Sequence, residues 1–150
     1  MTDIKTAEER SKNMSRIRSK NTLPEEYIRK KLYNRGYRYR KNTSLVAGHP
    51  DAWFPKFNTA VFVNGCYWHR HKECKYAYFP KSNVDFWNTK FEKNIERDNK
   101  IKRKLQEDGV KILIIWECCI KQMIKSEKKE EEILTQVDEF LNSKKKYLEL

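Results

Sequence analysis

The segment from Val110 to Trp116 constrains the fold most, because it is almost wholly apolar. Such a run predicts a strand that is buried on both faces, and strands of this kind lie in sheets that helices cover on both sides. Helical patterns flank it at residues 84–108, which end before Gly109, and at residues 127–142. The chain is therefore predicted to have an α/β fold with a mixed sheet.

The residues before this strand predict two helices of different kinds. Residues 22–25 have the form of a capping box, which opens a helix that stops near Gly36. Residues 7–20 predict a polar, basic helix whose sizeable apolar side chains are only Met14 and Ile17, too few to anchor it in a core. This segment is either a frayed arm or an arm that DNA orders through contacts to phosphates. The side chains predicted to contact phosphates are Arg10, Lys12, Arg16, Arg18 and Lys20.

A β-hairpin is predicted in the middle of the chain. Residues 51–54 and 59–64 read as two strands, and a proline-containing turn separates them. We expect the last residue of the first strand to oppose the first residue of the second. That register places the carboxylate of Asp51 near the backbone of Val63.

The balance of charge indicates a polyanionic partner. Lys and Arg number 33 against 21 Asp and Glu, a net charge of +12 in 150 residues. Almost all of this excess lies in residues 1–75. Nucleic acid is favoured over a membrane surface, because no segment combines a basic face with a bulky apolar one. No export signal or span-length apolar run is present, so we expect an intracellular chain with reduced cysteines.

Two thiols and an imidazole are closely spaced after the hairpin. Cys66, His71 and Cys74 have the spacing of ligands that could reach one tetrahedral zinc ion from an irregular loop. Cys118, at the end of the apolar strand, is the natural fourth ligand, although Cys119 competes with it. The alternative is that these thiols are merely buried or exposed without a metal.

Four more side chains near this cluster are candidates for chemistry or for DNA contact. His69 stands outside the zinc set and is either a general base or a solvent-facing histidine. Tyr67 and Trp68 lie between zinc ligands, and Trp87 opens a helix after a basic loop. Large apolar groups in such positions can enter a base stack, and core packing is the other interpretation.

Blocks of sequence spread through most of the chain resemble the very short patch DNA mismatch repair endonucleases. That family has a fold like that of type II restriction enzymes. The resemblance implies a three-layer restriction-endonuclease-like fold, with a central mixed sheet flanked by helices and a structural zinc site. The blocks that carry it are Arg10-Ser11-Lys12-Asn13-Met14, Glu25, Gly48-His49-Pro50-Asp51, Gly65-Cys66-Tyr67-Trp68-His69, Phe86-Trp87, Lys93-Asn94-Ile95-Glu96-Arg97-Asp98 and Trp116-Glu117-Cys118.

The resemblance implies an activity and a catalytic centre. The family nicks the thymine strand beside a T:G mismatch, the lesion left when 5-methylcytosine deaminates. Asp51 would bind catalytic Mg²⁺ together with the backbone carbonyl of Val63, and two ions are expected. Glu25 would hold water at this centre, and His69 would activate the attacking water. Asn64 is expected in the same site, where histidine is common, and an amide cannot carry a proton at neutral pH.

The resemblance also assigns the metal ligands and the DNA contacts. It selects Cys118 over Cys119, which gives a zinc set of Cys66, His71, Cys74 and Cys118. Tyr67, Trp68 and Trp87 would form an aromatic wedge beside the mismatch, and Met14 and Ile17 would enter from the opposite groove. Tyr67 stands where phenylalanine is common, so its added hydroxyl needs a partner or water. Lys93 joins the residues expected to contact phosphate.

We expect one endonuclease domain over residues 1–150, made of an arm at 1–21, a core at 22–142 and a basic tail at 143–150. Its expected location is the bacterial cytoplasm, at the nucleoid and away from membranes. The resemblance also implies a functional link to a DNA cytosine-5 methyltransferase and to general mismatch-repair factors. Two alternatives remain: a restriction-like nuclease acting on matched DNA, and a zinc-stabilised DNA-binding module with little or no catalysis.

Overall fold

The computed structural model describes residues 22–150, which form a mixed sheet with helices on both faces. The predicted arm, with its phosphate-contacting cations and with Met14 and Ile17, lies outside the described residues. The strand order is β1-β2-β3-β4, in which β1 and β2 are antiparallel and the other pairs are parallel. The elements in chain order are α1 (Leu23–Asn34), β1 (Ala52–Phe54), β2 (Thr59–Asn64), α2 (Val84–Glu107), β3 (Lys111–Trp116), α3 (Glu117–Lys125), α4 (Glu127–Leu141) and β4 (Tyr147–Glu149).

The predicted hairpin is present in the predicted register. Phe54 pairs with Thr59, and a short 3-10 turn over Pro55–Phe57 joins the two strands. Asn58 closes this turn with φ +49°, a left-handed conformation that asparagine tolerates better than most residues. The hairpin therefore fixes where Asp51 lies relative to β2.

Strand β3 is the centre of the molecule, as its apolar sequence predicts. All six of its residues are buried, and alternate side chains point into two different cores. Leu113 and Ile115 pack in the larger core, to which α1, α3 and α4 contribute. Ile112 and Ile114 pack in the smaller one, which includes Leu105 from α2. The sheet is thus the middle of three layers.

Two elements were not predicted. Helix α3 follows β3 without a loop, and the sequence analysis treated its first residues only as metal ligands. Strand β4 lies within residues 143–150, which were predicted to be a basic tail, and pairs in parallel with β3. The basic run at residues 144–146 led to the prediction of a tail in place of a strand. In the structure, Leu148 and Leu150 pack against the larger core.

The buried end of β3 is tied to the end of α4. Nζ of Lys111 donates hydrogen bonds to the backbone carbonyls of Phe140 at 2.7 Å and Ser143 at 2.9 Å. Carbonyls at the C-terminal end of a helix lack partners within the helix and carry partial negative charge, which favours a cation there. Within residues 22–150, the structure contains no helix that is both long and apolar enough to cross a membrane.

Candidate active site

A cleft of about 550 Å³, lined by residues of the sheet and of α2, gathers the predicted catalytic side chains. Glu25, Asp51, Asn64 and His69 all line it, together with Val63. These residues come from α1, from the two ends of the hairpin and from the loop after β2. The structure therefore brings together every described residue that the sequence analysis placed in the catalytic centre.

The hairpin positions Asp51 at the start of β1. Its Oδ2 accepts a hydrogen bond from the backbone N–H of Val63 at 2.6 Å. Burial raises the pKa of Asp51 from 3.8 to about 7, and the neighbouring Glu25 carboxylate adds to this effect. The Val63 hydrogen bond and the Arg29 charge act in the opposite direction without cancelling it. A buried carboxylate of this kind is suited to binding a cation.

Glu25 and Arg29 form a second layer behind Asp51, on one face of α1. Both are buried, with 7% and 3% of their surfaces exposed. Nη1 of Arg29 donates to the backbone carbonyl of Asp51 at 3.1 Å and lies 4.0 Å from Oε2 of Glu25. Glu25 also accepts from the backbone N–H of Thr22 at 3.2 Å, as the predicted capping box requires.

His69 has a carboxylate partner that holds its ring. Nδ1 of His69 and Oδ2 of Asp98, on α2, are 2.6 Å apart. Since an ionised carboxylate can only accept a hydrogen bond, this contact places the proton on Nδ1. The basic nitrogen is then Nε2, the arrangement that a general base needs.

A close contact between the loop before Asp51 and α2 forms the floor of the cleft. Gly48 adopts φ +83°, and a Cβ atom built there would lie 2.6 Å from Cγ2 of Ile101 and 3.0 Å from Cε1 of Phe62. Only glycine fits this approach without strain. The contact brings the loop that carries Asp51 against the helix that carries Asp98.

Three cysteines and a histidine form a separate cluster beside the cleft. The donor atoms of Cys66, His71, Cys74 and Cys118 all lie within 4.8 Å of one another. In a tetrahedral zinc site with bonds of about 2.0 to 2.3 Å, donor atoms lie roughly 3.3 to 3.8 Å apart. This donor set therefore fits one zinc ion after a slight contraction. Cys119 lies elsewhere, in the larger core, where burial raises the pKa of its thiol to about 11.

A residue of β3 holds the histidine of this cluster by ring stacking. The ring of His71 stacks on that of Trp116, with 4.0 Å between centroids and 7° between planes. Nε1 of Trp116 donates to Oε1 of Glu149 at 2.6 Å. Strand β4, missed in the sequence analysis, therefore helps to hold a candidate metal ligand.

The predicted wedge residues contact one another. Tyr67 lies 5.3 Å from Trp68 and 5.9 Å from Trp87, and the two tryptophans are 5.7 Å apart, between ring centroids. All three are half-buried, so neither full core packing nor full exposure describes them. Nδ2 of Asn94 donates to the carbonyl of Trp68 at 3.1 Å, which ties this loop to α2. Lys93 is exposed on the same helix, near Phe86.

Most of this chain is similar in sequence to known proteins of one family. A model of the family described as DNA mismatch endonuclease Vsr matches residues 2–76. The type II nicking enzyme V.NmeAIP of Neisseria meningitidis serogroup A is 46% identical over 121 residues, which cover 81% of this chain and 86% of that protein. The DNA mismatch endonuclease Vsr of Escherichia coli is 34% identical over 121 residues, covering 81% and 77%. The chain belongs to the Vsr family of DNA mismatch endonucleases.

Membership of the Vsr family confirms the resemblance seen in the sequence and shows that the chain is a DNA endonuclease. It favours a nuclease over the alternative of a DNA-binding module without catalysis.

For a Vsr-family nuclease, the structure adds two residues that sequence reasoning did not assign, one in the lining of the cleft and one behind Asp51. One is Asp98, which was noted only as part of a matching block, and the other is Arg29. Arg29 carried a signal in the sequence, because it follows Glu25 by four residues and so shares its helix face.

Proposed function

We propose that this chain nicks the thymine strand of DNA at T:G mismatches in a Mg²⁺-dependent reaction. The observation that carries the proposal is that Asp51 and the Asp98-held His69 line the same cleft, and that His69 directly follows two residues of an aromatic cluster. The relatives support it, since one is a DNA mismatch endonuclease and another a type II nicking enzyme.

Asp51 and the carbonyl of Val63 would hold the magnesium. In a hydrogen-bonded antiparallel pair, the N–H and C=O of a strand residue face the same neighbour, and the N–H of Val63 already points at Asp51. Oxygen donors of this kind are those that Mg²⁺ prefers, and one or two ions are consistent with them. Bound there, the metal would stabilise negative charge on the attacking and departing oxygens.

His69 would be the general base that activates the attacking water, and Glu25 would orient water in the cleft. Nε2 of His69 takes a proton from the attacking water as its oxygen bonds to phosphorus, and the bond from phosphorus to the departing sugar oxygen breaks. The departing oxygen then takes a proton from solvent. Glu25 accepts a hydrogen bond from water in the cleft and orients it. Asn64 donates an amide N–H to the phosphate oxygens but cannot transfer a proton at neutral pH.

The cluster of Cys66, His71, Cys74 and Cys118 would hold a structural zinc ion. Its support is the donor chemistry, because three sulfurs and one imidazole match a closed zinc site with no position left for a reacting water. The loop that joins these ligands also carries His69 and two of the wedge aromatics. Zinc would therefore fix both the base and the mismatch contact.

Recognition of the mismatch would come from unstacking. Tyr67, Trp68 and Trp87 enter the base stack, which costs least at a weakly paired step. Lys93 and the cations of residues 1–21 neutralise phosphates around it, while Met14 and Ile17 enter from the other groove. A methyltransferase that creates the substrate for deamination and general mismatch-repair factors are the proposed partners, and the bacterial cytoplasm is the proposed location.

A nicking assay tests the proposal. Duplexes with each strand labelled in turn carry T:G, T:A or C:G at one position, in several sequence contexts, with and without Mg²⁺. We expect a cut in the thymine strand of the T:G duplex alone, which is lost in Asp51→Asn. Equal cutting of matched duplexes would instead assign the chain to restriction-like chemistry.

A further inference from the structure

Beyond the wedge, a second aromatic surface lies open on the loop after the candidate zinc ligands. Tyr78 and Phe79 are 64% and 72% exposed, which is unusual for two adjacent large rings. The ring of Tyr78 lies 5.0 Å from that of Tyr67, so the surface is continuous with the wedge. No residue of this loop was assigned a role by the sequence analysis or by the proposed mechanism.

Arg70 holds this loop in place through hydrogen bonds and ring contacts. Its guanidinium donates to three backbone carbonyls, those of Tyr67 at 3.1 Å, Ala77 at 2.7 Å and Tyr78 at 3.2 Å. The same planar group lies over the ring of Phe91 at 4.0 Å and over that of Phe79 at 4.6 Å. A planar fork can bond carbonyls and stack on rings at once, and a lysine ammonium cannot reproduce both.

The charge around the two rings indicates what covers them. Lys72, Lys75 and Lys81 are exposed on the same stretch of chain, and Glu73 is the acidic residue among them. Exposed rings among cations are the combination by which proteins bind nucleic acid, since rings stack on bases or sugars while cations neutralise phosphates.

We propose that Tyr78 and Phe79, positioned by Arg70, form a second DNA-contact surface that binds the duplex on one flank of the wedge. The inference rests on the proposed wedge for its placement and on the DNA substrate of the family for its ligand. The wedge unstacks the DNA duplex at the mismatch, and the second surface binds the duplex beside it. Arg70 is a positioning residue, because its contacts are to the loop.

The test measures binding of the full zinc-loaded chain to labelled T:G duplexes in Mg²⁺-free buffer by fluorescence anisotropy. The duplexes are shortened one base pair at a time from either end. On a long duplex we expect Tyr78→Ala/Phe79→Ala to weaken binding about 5-fold to 100-fold, the range for loss of aromatic stacking. The difference from the unaltered chain should disappear once one particular flank is trimmed away, and only that flank.

Two further variants sharpen the test. Arg70→Gln should weaken binding with the same dependence on that flank, while zinc content and circular dichroism stay unchanged. Tyr33→Ala is the matched control, because Tyr33 is 52% exposed and has the guanidinium of Arg38 4.1 Å from its ring, but lies at the far end of α1 from Glu25. It should bind every duplex as the unaltered chain does.

Several outcomes would overturn the proposal. These are unchanged binding by the double variant, an equal loss of affinity on every duplex, and a DNA-free dimer that the double variant converts to a monomer. The last would make the surface a subunit contact. The same series of duplexes with a matched T:A pair separates this proposal from the proposed mismatch recognition. Equal binding of T:G and T:A duplexes would contradict mismatch recognition. The dependence of binding on the flanking base pairs could still be measured.

Discussion

Oδ2 of Asp98 lies 2.6 Å from Nδ1 of His69, and this contact joins the long helix α2 to the loop that follows β2. The pair has the geometry of a base and the group that orients it, a relation that recurs in hydrolytic enzymes on unrelated folds. Its importance is that the loop alone could not hold His69 in one orientation.

Replacing Asp98 by asparagine should lower kcat for nicking and leave DNA affinity unchanged. The amide can donate to Nδ1, which moves the ring proton to Nε2 and removes the base. A fall of about 10-fold or more is expected, up to the roughly 10⁴-fold that a general base contributes. Single-turnover nicking rates and anisotropy measure the two effects. Asp108→Asn, at the C-terminal end of the same helix, is the matched control, and a normal rate in Asp98→Asn would exclude this role.

The buried Asp51 predicts a pH dependence of stability in the metal-free cleft. Well below pH 3.8 its carboxyl is protonated in the folded and unfolded states and has no effect. Between pH 4 and about 7 the unfolded chain ionises first, so the folded state loses stability as pH rises. Asp51→Asn should therefore unfold several degrees above the unaltered chain at pH 8, and the difference should be much smaller at pH 4.

Thermal unfolding followed by circular dichroism, with zinc present and Mg²⁺ absent, measures this difference. Added Mg²⁺ should then raise the unfolding temperature of the unaltered chain at pH 8 and leave Asp51→Asn unchanged, because a ligand stabilises only the state that binds it. A gap between the two proteins that is constant across pH would contradict the assignment.

The adjacent cysteines of α3 should differ sharply in their effect on zinc. Cys118→Ser should lose most of the bound zinc and much of the folded structure, because the metal contributes folding free energy. Cys119→Ser should keep one zinc per chain and lose about 1 to 3 kcal/mol of stability by burying a hydroxyl in the larger core. Zinc assay by mass spectrometry and denaturant unfolding provide the readouts. Full zinc content in Cys118→Ser would overturn the ligand set.

Arg29 should set the pH at which the nuclease becomes active. Its charge lowers the pKa of Asp51, so its removal in Arg29→Met should move the rising limb of the pH–rate profile to higher pH. Arg29→Lys, which keeps the charge, should lie between the two proteins. Arg35→Met is a control at the C-terminal cap of the same helix, since Arg35 pairs with Asp138 away from the cleft. A profile that falls in height without moving would mean that Arg29 only supports the fold.

What the sequence predicted correctly depended on local rules. The hairpin register followed from the length of its turn, and the burial of β3 followed from its apolar run. What it missed depended on how distant segments pack. The pairing of His69 with Asp98 requires α2 to cross the end of β2, and no spacing in the sequence shows that crossing. Strand β4 was not predicted because it has only three residues beside a basic run, and a pattern of that length is too short to be recognised.

The close approach of Gly48 to Ile101 has a consequence for how this chain can change by mutation. A side chain at position 48 would meet Ile101 and would also be strained by the backbone angle, so a smaller residue at 101 relieves only one of the two obstacles. Substitution at Gly48 would push the loop away from α2 and separate Asp51 from His69. Variants selected for stability and variants selected for nicking should therefore both keep Gly48. The first need it to avoid strain and steric overlap, and the second need it to keep Asp51 close to His69.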